Sequence, residues 1–145
     1  ITPEGYGLIH QDAHAGDCFG DEAYNITLFD FDDCAYGHFV YDIAMVLFYA
    51  ITNRPDAATF AVEFMEPFMR GYRQENSLNP KWMAEIPHFL KHREIDLYAA
   101  IHRSMDMAQV PAESWVGQFM NGRQQRIEDD VPYLDMGLLI EAGIL

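Results

Sequence analysis

Apolar and polar positions divide the chain into a short β-rich start and a long helical remainder. Three brief apolar or alternating runs, Gly7–Ile9, Cys18–Gly20 and Ile26–Phe29, favour strands, and the second and third flank a polar turn over Asp21–Asn25. The pattern predicts a strand, a polar loop from His10 to Asp17, and a small hairpin.

The rest of the chain is predicted to be helical. Phe39–Ile51 is apolar nearly all round, as in a buried helix. Asp56–Glu75 carries aromatic residues at four-residue steps, and we expect this stripe to face the core. Two further helices are predicted at 94–108 and 113–129. A shorter one is predicted at 80–90, capped by Asn79 and bent or divided at Pro87.

This pattern predicts a mainly α domain with a small β element. Residues 1–37 would form the β element, residues 38–136 the helical bundle and residues 137–145 an apolar tail. A chain of 145 residues is long enough for one core. No uninterrupted apolar run reaches the roughly 18–20 residues of a membrane span, and no basic-then-apolar leader opens the sequence. We therefore expect a cytoplasmic protein with no membrane partner, in which Cys18 and Cys34 are free thiols.

Charge is distributed unevenly along the chain. The net charge is −14, and residues 1–53 contain nine carboxylates but no Lys or Arg. Nucleic-acid binding is disfavoured, because a phosphate backbone requires a basic surface. Close carboxylates without basic partners need protons, hydrogen bonds or a cation.

Three of these carboxylates have a spacing that suits phosphoryl transfer. Asp12 follows the first predicted strand, Asp17 lies five residues later, and Asp30 ends the next β-rich run. A phosphoryl-transfer enzyme needs one carboxylate to orient an attacking hydroxyl and accept its proton. It needs further oxygen ligands to hold Mg²⁺ against the nucleotide phosphates.

Three segments in the same order carry a family resemblance. Residues 10–16 read His-Gln-Asp-Ala-His-Ala-Gly, residues 28–33 read Leu-Phe-Asp-Phe-Asp-Asp, and residues 41–44 read Tyr-Asp-Ile-Ala. They resemble the His-Gly-Asp-x-His-x-Gly loop, the Ile-Asp-Phe-Asp/Glu segment and the Asp-Leu-Ala helix opening of the aminoglycoside phosphotransferase/choline kinase family. Asp17 stands where the related protein-kinase loop has Asn, five residues after the catalytic Asp.

The resemblance implies roles for the acidic residues. Asp12 would be the catalytic base or the carboxylate that orients the acceptor hydroxyl. Asp30 would bind Mg²⁺ that bridges the nucleotide phosphates. Asp17 would be the second metal ligand, although the family usually has Asn at this position.

Four further residues are expected to support this site. His10 and His14 would stabilise the loop, and Asp32 would either assist the site or face solvent. Asp42 lies in the most apolar predicted helix, where an unpaired carboxylate is costly. The resemblance implies that Asp42 accepts hydrogen bonds from the catalytic-loop backbone.

The fold implied is the C-terminal helical lobe of a protein-kinase-like enzyme. The Gly-rich turn and phosphate-binding Lys of such enzymes are not found in this sequence, and the chain starts at Ile1 without Met. We therefore expect a piece that lacks the N-terminal nucleotide-binding lobe and is inactive alone. Its intact parent would use ATP and Mg²⁺ to phosphorylate a small-molecule hydroxyl acceptor, such as an aminoglycoside, choline, homoserine or a sugar. The surface left by the missing lobe would favour self-association.

Two other functions fit parts of the sequence. Asp30-Phe31-Asp32 after an apolar strand resembles the nucleophile segment of haloacid-dehalogenase-type phosphatases, but the residues that should follow it and the βα succession are missing. The Asp at position 17 keeps open a non-catalytic alternative, namely a degenerate kinase-like binding or structural protein similar to the spore-coat members of the superfamily.

Overall fold

The β-rich start forms two separate antiparallel pairs of strands in a computed structural model, which describes residues 4–145. The first three residues of the predicted 1–37 element lie outside the described part. The first strand pairs with the fourth, so that Tyr6 lies opposite His38, and the second and third form the predicted hairpin. The strands are β1 Tyr6–Ile9, β2 Cys18–Gly20, β3 Ile26–Leu28 and β4 Ala35–His38.

Helices follow directly from the last strand. They are α1 Phe39–Ile51, α2 Ala57–Glu75, α3 Pro80–Met83, α4 Ile86–Ser104, α5 Trp115–Met120, α6 Arg123–Glu128 and α7 Gly137–Glu141, with 3-10 turns at Ala15–Asp17 and Met107–Gln109. Both sheets are antiparallel, so the parallel βα arrangement of a dehalogenase-type phosphatase is absent from residues 4–145. Within the same residues, no helix has the length and apolar character needed to cross a membrane.

The core is built around α1, which has the predicted bounds. Five of its side chains are completely buried, and α4 and α2 pack against it. Because α1 starts immediately after β4, and β4 pairs with β1, the first turn of α1 lies beside the loop that follows β1. The buried set is Val40, Ala44, Met45, Leu47 and Phe48.

The aromatic stripe of α2 packs against the core, as predicted, but it is only half-buried. The fully buried residues of this helix are Ala61, Met65 and Met69, each one position after a Phe. The aromatic rings stack on one another along the helix, with Phe60 and Phe64 centroids 6.1 Å apart. A small and flexible set of side chains thus faces α1, and the rings cover the edge of that contact.

The predicted boundaries after residue 80 also need correction. Asn79 caps α3 as expected, but α4 runs unbroken through the predicted gap at 91–93, and Pro87 lies in its first turn, where proline is tolerated. The predicted helix at 113–129 is two helices, separated at Gly122, which has a φ of 66°. The tail contributes buried Leu139 to the core.

Candidate active site

Asp42 fixes the loop between β1 and the first 3-10 turn. Its Oδ2 accepts the backbone N–H of His10 and its Oδ1 accepts that of Gln11, both at 2.8 Å. Hydrogen bonds to a carboxylate are stronger than those between neutral groups. These are the bonds that the family resemblance led us to expect, while their importance for catalysis is a prediction.

Gln11 adopts a left-handed backbone conformation that L residues rarely take. Its φ is 74°, at the position where the family loop has Gly. The two bonds to Asp42 hold the N–H groups of His10 and of Gln11 itself, so the backbone is anchored up to the nitrogen at which this left-handed turn begins.

Asp12 is held through one of its two carboxylate oxygens. Oδ1 accepts the Tyr49 hydroxyl at 3.0 Å and the Arg93 Nη2 at 2.5 Å. Within residues 4–145 no hydrogen bond reaches Oδ2, and a third of the side chain is exposed. The free oxygen therefore suits the role of accepting a proton from a bound hydroxyl.

The groups around Asp12 are fixed in their protonation states by burial and by one another. Burial raises the pKa of Tyr49 to about 12, against the opposing effect of Arg93. The hydroxyl therefore stays protonated and donates a hydrogen bond to Asp12. Burial alone lowers the pKa of Arg93, but its hydrogen bond to Tyr49 and the charges nearby outweigh this, and the pKa of Arg93 is raised. Arg93 is therefore a permanent cation beside the carboxylate.

The segment before Asp30 is attached at Phe29 to the candidate catalytic loop, residues 10–17. The carbonyl of Phe29 lies 2.9 Å from the ring Nε2 of His10, and its N–H donates to the carbonyl of Asp17 at 2.9 Å. His10 is buried, and its ring packs 4.8 Å from that of Phe31. The two bonds at Phe29 therefore bring both candidate metal ligands, Asp17 and Asp30, to the same end of the loop.

Asp17 is buried and turned towards His14. Its Oδ2 lies 2.9 Å from the His14 ring Nδ1 and accepts the His14 N–H at 3.3 Å. The N–H of Gly16 also lies 3.1 Å from Nδ1. Since Nδ1 either carries a hydrogen or accepts one, it donates to Asp17 in one tautomer and accepts the Gly16 N–H in the other. His14 thus closes the loop around Asp17.

Asp30 and Asp32 are exposed at the end of β3. Asp30 has a left-handed φ of 64°, which turns the chain out of the strand. No cluster of three or more His, Cys, Asp or Glu side chains close enough to hold a metal occurs in the described residues. Mg²⁺ usually binds through one or two carboxylates together with water and substrate phosphates, so two acidic residues at one loop end fit such a site.

Sequence reasoning missed two residues that contact Asp12. Tyr49 lies seven residues after Asp42, two helical turns along the same face of α1, and this spacing was a usable signal. Arg93 comes from α4, 81 residues from Asp12, and no local pattern indicates that contact.

Two cavities flank the loop. One, of about 370 Å³, is lined by His14, Ala15, Gly16, Tyr49 and Trp115. The other, of about 470 Å³, is lined by Ile9, Gln11, Gly37, His38, Tyr41, His88, Phe89 and His92. Both are of a size that small molecules occupy.

Comparison with known proteins yields a curated relative and a solved structure of similar sequence. Amicoumacin kinase of Bacillus subtilis (strain 168) is 38% identical over 135 residues, which are 90% of this chain and 39% of that protein. The chain thus spans well under half of its relative. The structure of amicoumacin kinase hAmiN in complex with AMP-PNP, Ca2+ and Ami is 35% identical, with a TM-score of 0.82 over 96% of this chain and 42% of that one.

A family model also matches the part of the chain that contains the candidate site. It describes APH, the phosphotransferase enzyme family, and it matches residues 3–86. This range contains the candidate catalytic loop, the acidic segment after β3 and the start of α1, and it is more than half of the chain. This family match argues against the alternative of a dehalogenase-type phosphatase. The chain therefore belongs to the phosphotransferase enzyme family.

Proposed function

We propose that this chain is the C-terminal catalytic lobe of an ATP- and Mg²⁺-dependent kinase that phosphorylates a hydroxyl group of a small molecule. The observation that carries the proposal is the position of Asp12. Asp42 fixes the loop backbone before it, one carboxylate oxygen is held, and the other is free. Phosphoryl transfer requires one carboxylate that orients the acceptor hydroxyl and further acidic residues that bind the metal ion.

In this proposal each acidic residue has one task. Asp12 accepts the proton of the acceptor hydroxyl while the oxygen of that hydroxyl forms a bond to the γ-phosphorus of ATP. The bond from that phosphorus to the β,γ-bridging oxygen breaks, and ADP leaves with the electron pair. Asp17 and Asp30 would hold Mg²⁺, which neutralises phosphate charge when bound.

The surface of the β-rich part supports the proposal that another lobe covers it. Thirteen large apolar side chains are exposed in the described residues, and eight of them lie between Leu8 and Tyr36. Such concentrations of exposed apolar area mark interaction surfaces. We propose that a nucleotide-binding lobe packs here in the intact enzyme, and that this chain alone self-associates and does not turn over ATP.

The relatives suggest which acceptor to test first. Both similar proteins are amicoumacin kinases, so we propose amicoumacin as the first acceptor, followed by aminoglycosides, choline, homoserine and sugars. We place the reaction in the cytoplasm, where ATP is available. Asp17 is buried and paired with His14, and this observation favours the alternative of a kinase-like binding or structural protein without catalysis.

A fusion enzyme tests the proposal. This chain would replace the segment that it matches in the Bacillus subtilis amicoumacin kinase, and phosphorylated product would be measured by mass spectrometry with Mg²⁺-ATP and each acceptor. We expect turnover by the fusion, none by its Asp12→Asn variant and none by the 145-residue chain. A folded fusion that binds AMP-PNP but phosphorylates no acceptor supports the binding-protein alternative. Turnover by the chain alone would contradict the half-site proposal.

A further inference from the structure

Arg93 reaches the candidate active site from α4, the helix that packs against α1. Its side chain is only 12% exposed, and Nη2 lies 2.5 Å from Asp12 Oδ1 and within hydrogen-bond distance of the Tyr49 hydroxyl. Its guanidinium carbon is 5.4 Å from the centre of the Tyr49 ring. Arg93 therefore binds both the Asp12 carboxylate and Tyr49, whose hydroxyl donates to the same oxygen of Asp12.

The ion pair has an unusual one-sided geometry. Arginine commonly pairs with a carboxylate through two nitrogens and two oxygens. Here the second nitrogen, Nη1, is bound by Asp96 Oδ2 at 3.1 Å, one helical turn further along α4. Because Asp96 engages Nη1, the guanidinium contacts only Oδ1 of Asp12.

From this geometry we infer that Arg93 is the positioning residue for Asp12 in the proposed kinase reaction. Arg93 and Tyr49 fix Oδ1 from two sides and thereby set the rotation of the carboxylate. Oδ2 is left at the exposed side to accept the proton of the acceptor hydroxyl. Arg93 has no contact with the acceptor in this role; it acts through Asp12.

This inference rests on the proposed function, because positioning matters only if Asp12 meets an acceptor. It also distinguishes this pair from an ordinary structural one. A structural ion pair would affect stability alone, whereas a positioning pair affects the rate of the chemical step. Misplacing a reacting group by about 1 Å costs roughly 100-fold in rate.

The kinetic test uses the fusion enzyme with Arg93→Met and Arg93→Lys. We expect Arg93→Met to lower kcat roughly 100-fold with little change in the acceptor KM. Added guanidinium ion should restore part of kcat to Arg93→Met, and Arg93→Lys should retain an intermediate kcat. The matched control is Arg54→Met, since Arg54 also pairs with a carboxylate, Asp56, and lies over an aromatic ring, that of Phe60, but has neither Asp12 nor Tyr49 as a partner. It should keep the parental kcat and show no rescue.

Other kinetic outcomes overturn the inference. An unchanged kcat in Arg93→Met would make the pair structural, and a raised KM with unchanged kcat would make Arg93 an acceptor-binding residue. A higher kcat would indicate that Arg93 obstructs the site.

A second measurement keeps the test independent of the proposed function. In the 145-residue chain, the guanidinium N–H signals of Arg93 should be resolved by NMR and protected from exchange. Asp12→Asn should weaken the protection of the Nη2 protons, whereas the Nη1 protons, which bind Asp96, should keep theirs. If the fusion has no turnover, the proposed function fails, and this measurement still shows whether Arg93 contacts Asp12 in solution. If Asp12→Asn leaves the exchange protection of the Arg93 signals unchanged, the inference is overturned.

Discussion

Asp42 on the first turn of α1 accepts the backbone N–H of His10 at 2.8 Å, across the junction between the helical core and the candidate catalytic loop. The other oxygen of the same carboxylate accepts the next N–H, that of Gln11. One side chain thus satisfies two consecutive peptide groups in a segment without regular structure. The most completely buried helix thereby determines where Asp12 stands.

Asp42→Asn should destabilise the chain. An amide has one accepting oxygen, and its NH₂ group would face the second N–H, so at least one bond to a charged acceptor is lost. We expect the free energy of unfolding to fall by about 1.5–3 kcal/mol, measured by urea unfolding. Asp56→Asn is the control, because the Asp56 carboxylate pairs with Arg54 at the surface, and it should hardly move the unfolding midpoint. A loss in Asp42→Asn no larger than in the control would contradict the anchoring role.

Gln11 gives a prediction about backbone strain. Replacing Gln11 by Gly removes a left-handed penalty of roughly 1–2 kcal/mol and adds about 0.5–1 kcal/mol of unfolded-state entropy. Gln11→Gly should therefore be neutral or slightly stabilising in urea unfolding. Gln11→Val places a β-branched side chain at a φ of 74° and should be clearly destabilising. Equal stability of the two variants would show that the loop does not keep this conformation in solution.

The parts of this structure that sequence patterns predicted are those determined locally. The bounds of α1 follow from an uninterrupted apolar run, and the order of Asp12, Asp30 and Asp42 follows from motif spacing. The strand β4 was missed because Ala35–His38 has weak strand character of its own and is formed by pairing with β1, which lies far away in sequence.

The remaining errors come from polar residues that are buried through long-range contacts. The polar residues 91–93 fell between two predicted helices, the second of which began at Glu94. In the structure these residues lie inside α4 and point to partners on other elements, Asp12 for Arg93 and Arg123 for Glu94. A single sequence contains no signal for such contacts, because each partner is 29 to 81 residues away.

Asp17 provides a test of the metal site. Asn at this position, the usual residue of the family, keeps an oxygen that can accept the His14 N–H and bind metal, and it removes a negative charge. In the fusion enzyme we expect Asp17→Asn to retain or increase turnover, and Asp30→Asn to lose more than the roughly 10–100-fold typical of an outer-sphere substitution. Mn²⁺ binding followed by electron paramagnetic resonance should weaken in Asp30→Asn only. Asp33→Asn serves as the surface control, and a drop in turnover with Asp17→Asn would show that the carboxylate itself is required.

Tyr133 should make the chain sensitive to alkaline pH. Burial raises the pKa of Tyr133 to about 12, against the opposing hydrogen bond to Thr52 Oγ1 at 2.6 Å. A tyrosine whose pKa is higher in the folded state stabilises the fold below its unfolded pKa of about 10, and this contribution is lost as pH rises from about 10 towards 12. The midpoint of thermal unfolding should therefore fall steeply over that range.

Tyr133→Phe isolates this contribution. At pH 8 the variant lacks the bond to Thr52 and should be less stable than the parent by about 1 kcal/mol. Above pH 10 only the parent must keep an ionisable hydroxyl buried at position 133, so the difference should shrink or reverse. Tyr24→Phe, which alters a side chain that is 92% exposed, should follow the parent at every pH. A constant gap between parent and Tyr133→Phe would show that Tyr133 is not the titrating group.

Glu94 follows Arg93 on α4 and is the most deeply buried charge of the helical bundle. It is fully buried, and its two oxygens lie 2.7 Å from Arg123 Nη1 and 2.9 Å from Lys91 Nζ. The contact to Arg123 ties α6 to α4, and Lys91 also donates to the carbonyl of Val131 at 2.8 Å. A single carboxylate therefore compensates two cations that are themselves nearly buried.

Glu94→Gln should accordingly be among the most destabilising conservative substitutions in the chain. It keeps the shape of the side chain but leaves both cations without a counter-charge, and breaking a buried pair in this way costs about 3–5 kcal/mol. Urea unfolding would measure the loss. The triple variant Lys91→Met, Glu94→Leu, Arg123→Met removes all three charges together and should recover part of the stability, though not all, because the carbonyls of Val131 and Phe119 lose their donors. If Glu94→Gln costs less than about 1 kcal/mol, the value typical of a surface pair, then water reaches this network in solution.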